Sequence, residues 1–345
     1  VGRLPEFQKT YAQGSGGVFS TTSGTSWGPK ISELPNDATY GGNTDNEYTQ
    51  KFGKQQGKYY VPQRAAAGLD PWATPQAYDN AKDFFDTGIT WSNSLNVAQM
   101  LDKSSYSISL GNTHQDGIIS STGMDRYNVK VSADTKLTNN WSSGFTANYI
   151  TTSIDKAVTS GNGLLRTVYA APPSYDLAGI PSHVDGNPYT QNSFRGSFDN
   201  AYWAMDNNKF TEDTNRFFGN VYASYQTDFG TTNHKLNAKY MVGVDAYTTH
   251  YVDSYGYGSN TGGGRGQIEN YGWTNATYNS LLTINYDWRI NEDWGLNAVL
   301  GNEIIQSNRK KYYEYGTNYN FPGWNHINNA TTQQTEEETW KNRTV

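Results

Sequence analysis

One short motif in the chain matches the spacing of a catalytic nucleophile. Residues Gly24 to Gly28 read Gly-Thr-Ser-Trp-Gly, the G-x-S-x-G pattern that presents a serine on a sharp strand-to-helix turn in α/β-hydrolases. Such a turn needs a strand before it and a helix after it, but Pro29 follows at once and no strand–helix alternation surrounds it. We therefore do not predict esterase chemistry and assign no catalytic residue.

Thiol and metal chemistry find no support in the residue pattern. The chain contains no cysteine, which excludes disulfides, thiolate metal sites and cysteine nucleophiles. The carboxylates are spread along the chain, and nothing pairs two of them for glycoside hydrolysis. We predict no enzyme activity, no metal and no cofactor. The histidines lack H-x-x-x-H and H-E-x-x-H spacing, and they are His114, His183, His234, His250 and His326.

A glycine-rich stretch from Gly262 to Gly266 could in principle cradle a phosphate. It reads Gly-Gly-Gly-Arg-Gly and lacks the Lys-Ser/Thr of a phosphate-binding loop. No strand–helix–strand unit follows it either. The stretch is therefore interpreted as a flexible loop tip.

Aromatic residues are concentrated in the stretches between regular elements, among Asn, Asp, Gly and Ser. Aromatic faces cover apolar C–H surface, while amides and hydroxyls meet polar groups, so this mixture suits a sugar or a peptide backbone. Tyr and Trp enrichment is equally typical of a protein interface or of loops that pack on each other. The predicted substrate- or partner-contacting residues are Trp27, Tyr175, Trp203, Tyr255, Tyr257, Trp273, Tyr313 and Trp324.

The composition of the 345-residue chain excludes several classes of protein. No run of about 20 apolar residues exists, so no membrane-spanning helix is predicted. The net charge is −6 and Lys and Arg form no block, so nucleic acid is not an expected partner. Aromatic residues make up 14% of the chain, which disfavours disorder. Charged residues make up only 17%, against about 25% in ordinary soluble domains.

The apolar residues recur with period two, which predicts β-strands. Tyr127, Val129 and Val131 begin one such register, and polar residues alternate with them as far as Leu137. A polar turn at 138–140 follows, and the alternation resumes at Trp141. The unit recurs at 217–244 and 278–304, with a weaker copy at 85–110, so we predict four hairpins with strands of about 11–13 residues.

Turn lengths and charge placement favour an outer-membrane β-barrel. The turns within hairpins are short and most links between hairpins are long, as in such barrels. No Asp, Glu, Lys or Arg occupies the apolar register, as expected of a face towards lipid. The predicted lumen-facing residues on the other register are Asn128, Lys130, Asp134, Lys239 and Asp245.

The predicted domain organisation follows from these hairpins. Residues 1–83 form a long extracellular loop region, and residues 84–305 form the barrel strands. The extracellular loops among those strands span 113–125, 152–214 and 248–276, and residues 306–345 form a further extracellular loop.

Part of the chain resembles the early barrel region of the SusC/RagA family. The tract FFDTGITWSNSLNV at 84–97 carries the resemblance, followed by residues 105–141. Its most specific parts are Asp116-Gly117-Ile118-Ile119 and Asp125-Arg126-Tyr127-Asn128. Upstream, YAQG at 11–14 and WGPK at 27–30 resemble the family's YGQG-like and WGP tracts, although Ala12 replaces the usual glycine.

The resemblance implies a TonB-dependent transporter in the outer membrane of a Bacteroidetes bacterium. The expected fold is all-β, a transmembrane antiparallel barrel of 22 strands, of which about eight lie in this chain. The expected activity is energised import of oligosaccharides or peptides, with a SusD-like lipoprotein as an extracellular lid. TonB would act through a plug that this sequence does not contain, so we interpret the chain as an interior piece of a longer protein.

Two other readings of the same alternation remain open. A soluble or surface-exposed all-β carbohydrate-binding module also alternates, because one sheet face meets its core and the other meets water. Strand length favours the membrane barrel, since soluble strands average about 5–6 residues and tilted membrane strands need about 9–11. A small outer-membrane barrel adhesin is the third reading, with its interior filled by side chains.

Overall fold

The computed structural model describes residues 4–158 and 163–345. In chain order the strands are β1 (Gly14–Ser15), β2 (Val18–Phe19), β3 (Tyr59–Tyr60), β4 (Trp72–Ala73), β5 (Thr90–Met100), β6 (Ser104–Asp116), β7 (Gly123–Lys136), β8 (Trp141–Asp155), β9 (His183–Val184), β10 (Asn187–Gln191), β11 (Lys209–Thr227), β12 (His234–Tyr255), β13 (Gln267–Arg289), β14 (Gly295–Tyr319) and β15 (Ala330–Thr344). The helices are α1 (Glu47–Phe52), α2 (Pro62–Ala66), α3 (Asn80–Phe84), α4 (Leu164–Ala170) and α5 (Ala201–Asn207), with 3₁₀ turns at Ile31–Asn36 and Ile327–Asn329.

One antiparallel sheet of nine strands dominates the structure, in the order β15-β14-β13-β12-β11-β8-β7-β6-β5. Successive long strands are neighbours in this sheet. This includes β8 and β11, which pair directly although the connection between them contains β9 and β10. The strands grow from 11 residues in β5 to 25 residues in β14. All but one of the nine thus exceed the roughly 9–11 residues that a tilted strand needs to cross a bilayer.

The two ends of the sheet differ, as predicted. At one end the turns are short, and they span 101–103, 137–140, 228–233 and 290–294. In the 228–233 turn, Gly230 has a φ of 75°, and its N–H donates to Oδ1 of Asp228 over 2.9 Å. Glycine suits this position because a side chain disfavours positive φ. At the other end lie the long connections, the largest of which runs between β8 and β11.

The strands extend further towards the long-loop end than the sequence predicts. The connections that remain there are 117–122, 156–208 and 256–266, each shorter than the predicted loops 113–125, 152–214 and 248–276. At the start of the sheet, Phe84 ends a helix and the first long strand begins only at Thr90. The predicted loop over 306–345 is wrong, because β14 continues to Tyr319 and β15 adds a ninth strand. The prediction followed the alternation of apolar and polar residues, and this alternation stops before the strands end.

The pairing register separates two faces across the whole sheet. Val129 lies opposite Tyr149, which lies opposite Phe217, and all three are on what we call the outer face. No layer of protein covers this face within the described residues, since Val129, Tyr149 and Phe217 are 41%, 46% and 44% exposed. The opposite inner face carries the polar residues. A soluble sandwich would bury the apolar face instead.

The apolar band on the outer face stops well below the long-loop end of the sheet. On β14, Leu296, Leu300 and Ile304 belong to the band, but the next outer-face residues are polar, from Gln306 to Lys310. In the register of β15, Arg343 lies opposite Gln306, so its charged outer-face residues also lie above the band. In the upper part of the sheet, the outer face of β14 and β15 is therefore polar as well.

Hydrophobic burial is concentrated outside the sheet, in segments that connect its strands. We call residues 4–89 together with 163–208 the loop module. Its parts are tied by polar bonds, for example from Tyr59 OH to the Ser174 carbonyl over 2.8 Å and from Asn80 Nδ2 to the Pro172 carbonyl over 3.0 Å. No helix among the described residues is long and apolar enough to cross a bilayer. The most buried apolar side chains of the module include Leu34, Val168, Leu177, Phe194 and Trp203.

Candidate functional site

The five polar residues predicted to face a lumen share the inner face of the sheet. The register places Lys130, Asn148 and Phe218 in one row, and Asp245 continues that row. Asn128 lies on the same face of β7, and Asp134 faces Gly144 of β8. Lys239 lies opposite Ser224 on this face.

Several charged side chains on the lower inner face have a partner on the same face. Arg216 donates from Nε and Nη2 to the two carboxylate oxygens of Asp245, over 2.8 and 2.6 Å. Tyr222 donates to Asp134 over 2.6 Å, and the ammonium of Lys239 lies 4.2 Å from the Tyr222 ring centroid. Mixed signs held in pairs give a hydrogen-bonding surface rather than a filter for ions of one sign.

Above the apolar band, the inner face changes from paired charges to aromatic rings. The rings of Tyr251 and Tyr271 stack at 4.8 Å with only 7° between their planes, and Trp273 lies 5.5 Å from Tyr251. The guanidinium of Arg309 lies 5.2 Å from the ring of Trp273 and 5.7 Å from that of Trp340. We call these residues, together with Tyr313 and the nearby carboxylates of Glu212, Asp253 and Glu269, the upper wall.

Carboxylates accompany the rings of the upper wall. Tyr271 donates its hydroxyl hydrogen to Asp253 over 3.1 Å, and Lys156 lies 3.5 Å from a carboxylate oxygen of Glu212. Glu269 accepts from Tyr313. The upper wall therefore offers flat apolar faces beside oxygen acceptors, which is chemistry suited to a peptide or a sugar.

The electrostatics of the upper wall follow from burial among like charges. Burial raises the pKa of Glu269 above its ordinary value, and the nearby charge of Asp253 raises it further. Burial, with Asp253 as the next cause, also raises the pKa of Tyr271 to about 12. A bound cationic or hydrogen-bond-donating group beside Glu269 and Asp253 would stabilise their ionised forms.

Glu269 should make the upper wall less stable as pH rises. Its folded pKa exceeds the unfolded value, so the protonated form contributes stability that is present below pH 4.5 and is lost as pH rises through the raised value. We expect the protection factors of backbone amides of β13 near Glu269, which are corrected for base-catalysed intrinsic exchange, to fall across that window. Glu269→Gln should remove this dependence, because the amide does not titrate. If these amides showed the same pH dependence in the unmodified protein and in Glu269→Gln, Glu269 would not be the group responsible.

Two of the predicted contact residues are part of the hydrophobic core of the loop module. Trp203 is fully buried, and its indole N–H donates to the Pro188 carbonyl over 2.9 Å. Its helix, α5, is capped by Asn200, whose side chain accepts from the N–H of Tyr202. Tyr175 is 4% exposed and packs 5.5 Å from Phe194. Burial leaves neither Trp203 nor Tyr175 a face for a substrate, so both are core residues rather than contact residues.

The other predicted loop aromatics lie at separate places. Trp27 is 62% exposed and lines a half-open cavity of about 190 Å³ with Phe7, Tyr78 and Tyr169. Trp324 is 44% exposed and stacks on His326 at 5.1 Å.

Tyr255 and Tyr257 are half-buried near the top of β12. Tyr255 meets Phe210 edge-on at 5.2 Å, and the two residues line a small cavity with Leu164 and Met205 of the loop module. Tyr257 packs against the cluster of Ile268 and Tyr319. Contact of these aromatics with a substrate or partner stays a prediction.

Only Trp273 and Tyr313, of the eight predicted aromatics, come together on the upper wall. The predicted set did not include Tyr251 or Trp340, although both lie in segments that were predicted as loops. The spacing of two residues between Tyr271 and Trp273 was the available signal that the strand continues here with both rings on one face. Within residues 4–158 and 163–345, no group of three or more His, Asp or Glu side chains is arranged to hold a metal ion.

Solved structures resemble this chain, although no family model and no curated protein matches it. The RagAB peptide importer in its "closed-closed" state aligns with a TM-score of 0.61 at 16% identity. A structure of the RagAB peptide transporter gives 0.61 and 16%, and the "open-open" state of the importer gives 0.61 and 15%. Each alignment covers 78% of this chain and 30% of the other.

These matches bear on fold. The chain spans less than a third of the length of the solved chains that it matches, at 30% coverage. Together with the nine-stranded antiparallel sheet, the likeness confirms the predicted fold class, an all-β sheet that corresponds to part of a larger β-barrel. Residues 4–158 and 163–345 form nine long strands rather than the predicted eight.

Proposed function

We propose that this chain forms part of the wall of an outer-membrane β-barrel that imports oligopeptides or oligosaccharides in a Gram-negative bacterium of the Bacteroidetes type. The barrel is of the TonB-dependent SusC/RagA kind, and it works with a SusD-like lipoprotein that covers its outer opening. It catalyses no covalent reaction and carries no cofactor.

The uncovered apolar outer face is the observation that carries this proposal. Side chains such as Val221, Val242 and Leu300 are 53%, 41% and 66% exposed, on strands long enough to cross a bilayer. A soluble protein would not present so continuous an apolar surface to water. Acyl chains of a bilayer are the environment that such a band suits.

The two edges of the sheet support a larger barrel. β5 pairs only with β6, and β15 pairs only with β14, within the part of the chain that the structure describes. An unpaired strand edge exposes a row of N–H and C=O groups, which cannot remain unsatisfied in a membrane. Further strands of the same barrel, beyond these edges, provide the partners.

The upper wall is the proposed substrate surface. It lies on the inner face, above the apolar band, where a substrate entering from outside would arrive. The similar proteins are described as a peptide importer, which favours peptides over sugars as the first class to test. An aromatic face and adjacent carboxylates suit a peptide that carries donor groups.

A pair of neighbouring tyrosines on β14 tests the proposal. Tyr313 lies on the inner face opposite Tyr271, whereas Tyr312 lies on the outer face opposite Gly272. In cells carrying the complete protein, Tyr313→Ala should lower the uptake of a fluorescent oligopeptide by about threefold to tenfold, the loss of one aromatic contact of about 0.7–1.4 kcal/mol. Tyr312→Ala, the matched control, should leave uptake within about twofold of the unmodified protein.

Fractionation and a second substrate sharpen the test. The protein should be found in the outer-membrane fraction and should require detergent for extraction. Uptake of a labelled oligosaccharide measured in parallel decides between the two substrate classes. A buffer-soluble protein, or equal effects of the two tyrosine substitutions on both substrates, would refute the proposal.

A further inference from the structure

Arg195 of the loop module carries a buried guanidinium with unsatisfied hydrogen-bond donors. The residue is only 9% exposed, and its Nε and Nη2 atoms have no hydrogen-bond partner among the described residues. Its guanidinium carbon lies 3.9 Å from the ring centroid of Phe198 and 5.4 Å from that of Phe194. Leaving charged donors buried and unbonded is costly, so a missing acceptor is indicated.

The unsatisfied atoms form one edge of the guanidinium. The same edge of Arg216, Nε with Nη2, binds both carboxylate oxygens of Asp245 elsewhere in this protein. Two parallel N–H groups on a planar fork match the two oxygens of a carboxylate or a phosphate. The free edge of Arg195 therefore has the shape of an oxyanion receptor.

A second arginine adds positive charge at this place. The guanidinium carbon of Arg166 lies 4.2 Å from the centroid of the same Phe198 ring. The aromatic ring thus brings two cations near each other. The charge of Arg166 adds to the positive potential near Arg195, and the Phe198 ring covers one face of the Arg195 guanidinium.

The acidic residue nearest in sequence does not fill the role. Both carboxylate oxygens of Asp199 are occupied, Oδ1 by Gln191 and Asn260 and Oδ2 by Ser259. No salt bridge of Arg195 occurs among the described residues, and residues 159–162 are Thr, Ser, Gly and Asn, without a carboxylate.

We propose that the free edge of Arg195 forms a binding site for a small oxyanion on the loop module. The ligand class is a carboxylate, such as the end of a peptide, or a phosphate or sulfate group. The site does not depend on the proposed import function. Gly24 lies against the other edge of the guanidinium, since a Cβ built there would lie 3.4 Å from Nη1 and 3.7 Å from Cδ of Arg195.

Direct titration tests the site. The complete protein in detergent, at constant ionic strength set by chloride, is titrated with acetate, inorganic phosphate and sulfate in separate experiments. We expect saturable binding of at least one of the three, and Arg195→Gln should weaken it by tenfold or more. Preference for acetate identifies a carboxylate site, and preference for phosphate or sulfate identifies a tetrahedral oxyanion site.

A substitution at Gly24 keeps the test valid even if Arg195→Gln perturbs folding. Gly24→Asp places a carboxylate beside Nη1, on the edge away from Nε and Nη2, so its charge should raise the thermal stability of the loop module and weaken binding of the added anion. Gly24→Asn is the uncharged control of the same shape and should do neither. The proposal fails if the unmodified protein binds none of the three anions saturably, or if Gly24→Asp and Gly24→Asn behave alike.

Discussion

Val242→Arg should destabilise the folded barrel by about 2–4 kcal/mol in lipid vesicles, the penalty for arginine at the lipid face near the bilayer midplane. Val242 lies on the outer face opposite Val221, is 41% exposed, and stands in the middle of the apolar band of β12. In water the same substitution at an exposed position would change stability by only about 0.5 kcal/mol. Unfolding titrations of the complete, vesicle-reconstituted protein measure the effect.

Met241→Arg is the matched control. Met241 is the next residue, but it lies on the inner face opposite Tyr222, among polar and charged neighbours. We expect a loss below about 1 kcal/mol there, since that face is hydrated. If Met241→Arg proved the more damaging of the two, the outer face would not contact lipid and the barrel orientation would be reversed.

Trp203→Ala should destabilise the loop module by about 3–5 kcal/mol, the usual penalty for removing a fully buried indole. Trp203 has no exposed surface, and its loss would also leave the Pro188 carbonyl without its donor. The sheet has its own backbone ladder, so the effect should be confined to the module. Hydrogen exchange and limited proteolysis of residues 163–208 should report the loosening while the barrel strands stay protected.

Trp27→Ala separates a packing role from a contact role. Trp27 belongs to the same module but is 62% exposed. We expect its removal to change stability by no more than about 0.5 kcal/mol. A large destabilisation from Trp27→Ala, together with a small one from Trp203→Ala, would show that the buried core is placed wrongly.

The loop module and the sheet obtain their stability from different sources. The sheet holds its shape through long ladders of backbone hydrogen bonds, for example along the whole pairing of β13 with β14. The module has short elements and instead buries aromatic and aliphatic side chains, among them Leu34 and Phe194. Because no single segment of the module could bury these side chains alone, the segments before β5 and after β8 must fold together.

The sequence by itself determined the faces of the sheet. In an extended strand successive side chains point to opposite sides, so residues of like type at every second position must share a face. Tyr127, Val129 and Val131 therefore had to lie together, and Lys130 and Asp134 had to lie opposite them. The short turns, rich in Asn and Asp, were visible for a similar local reason.

The upper ends of the strands could not be read in the same way. Once β14 leaves the apolar band, both of its faces are polar or aromatic, so alternation in hydrophobicity disappears although the strand continues to Tyr319. The whole of β15 lies above the band, and nothing in its residues distinguishes a polar strand from a polar loop. Pairing with a neighbour, rather than local pattern, makes these residues strands.

Only the tertiary structure decided what each aromatic residue does. Trp203 and Trp27 both lie in segments predicted as loops, yet one is buried in the loop module and the other is exposed, because burial depends on segments far apart in the chain. The stack of Tyr251 on Tyr271 likewise needs the register of two strands. Period and composition are local properties, whereas shared cores and pockets arise from contacts that the chain makes only when folded.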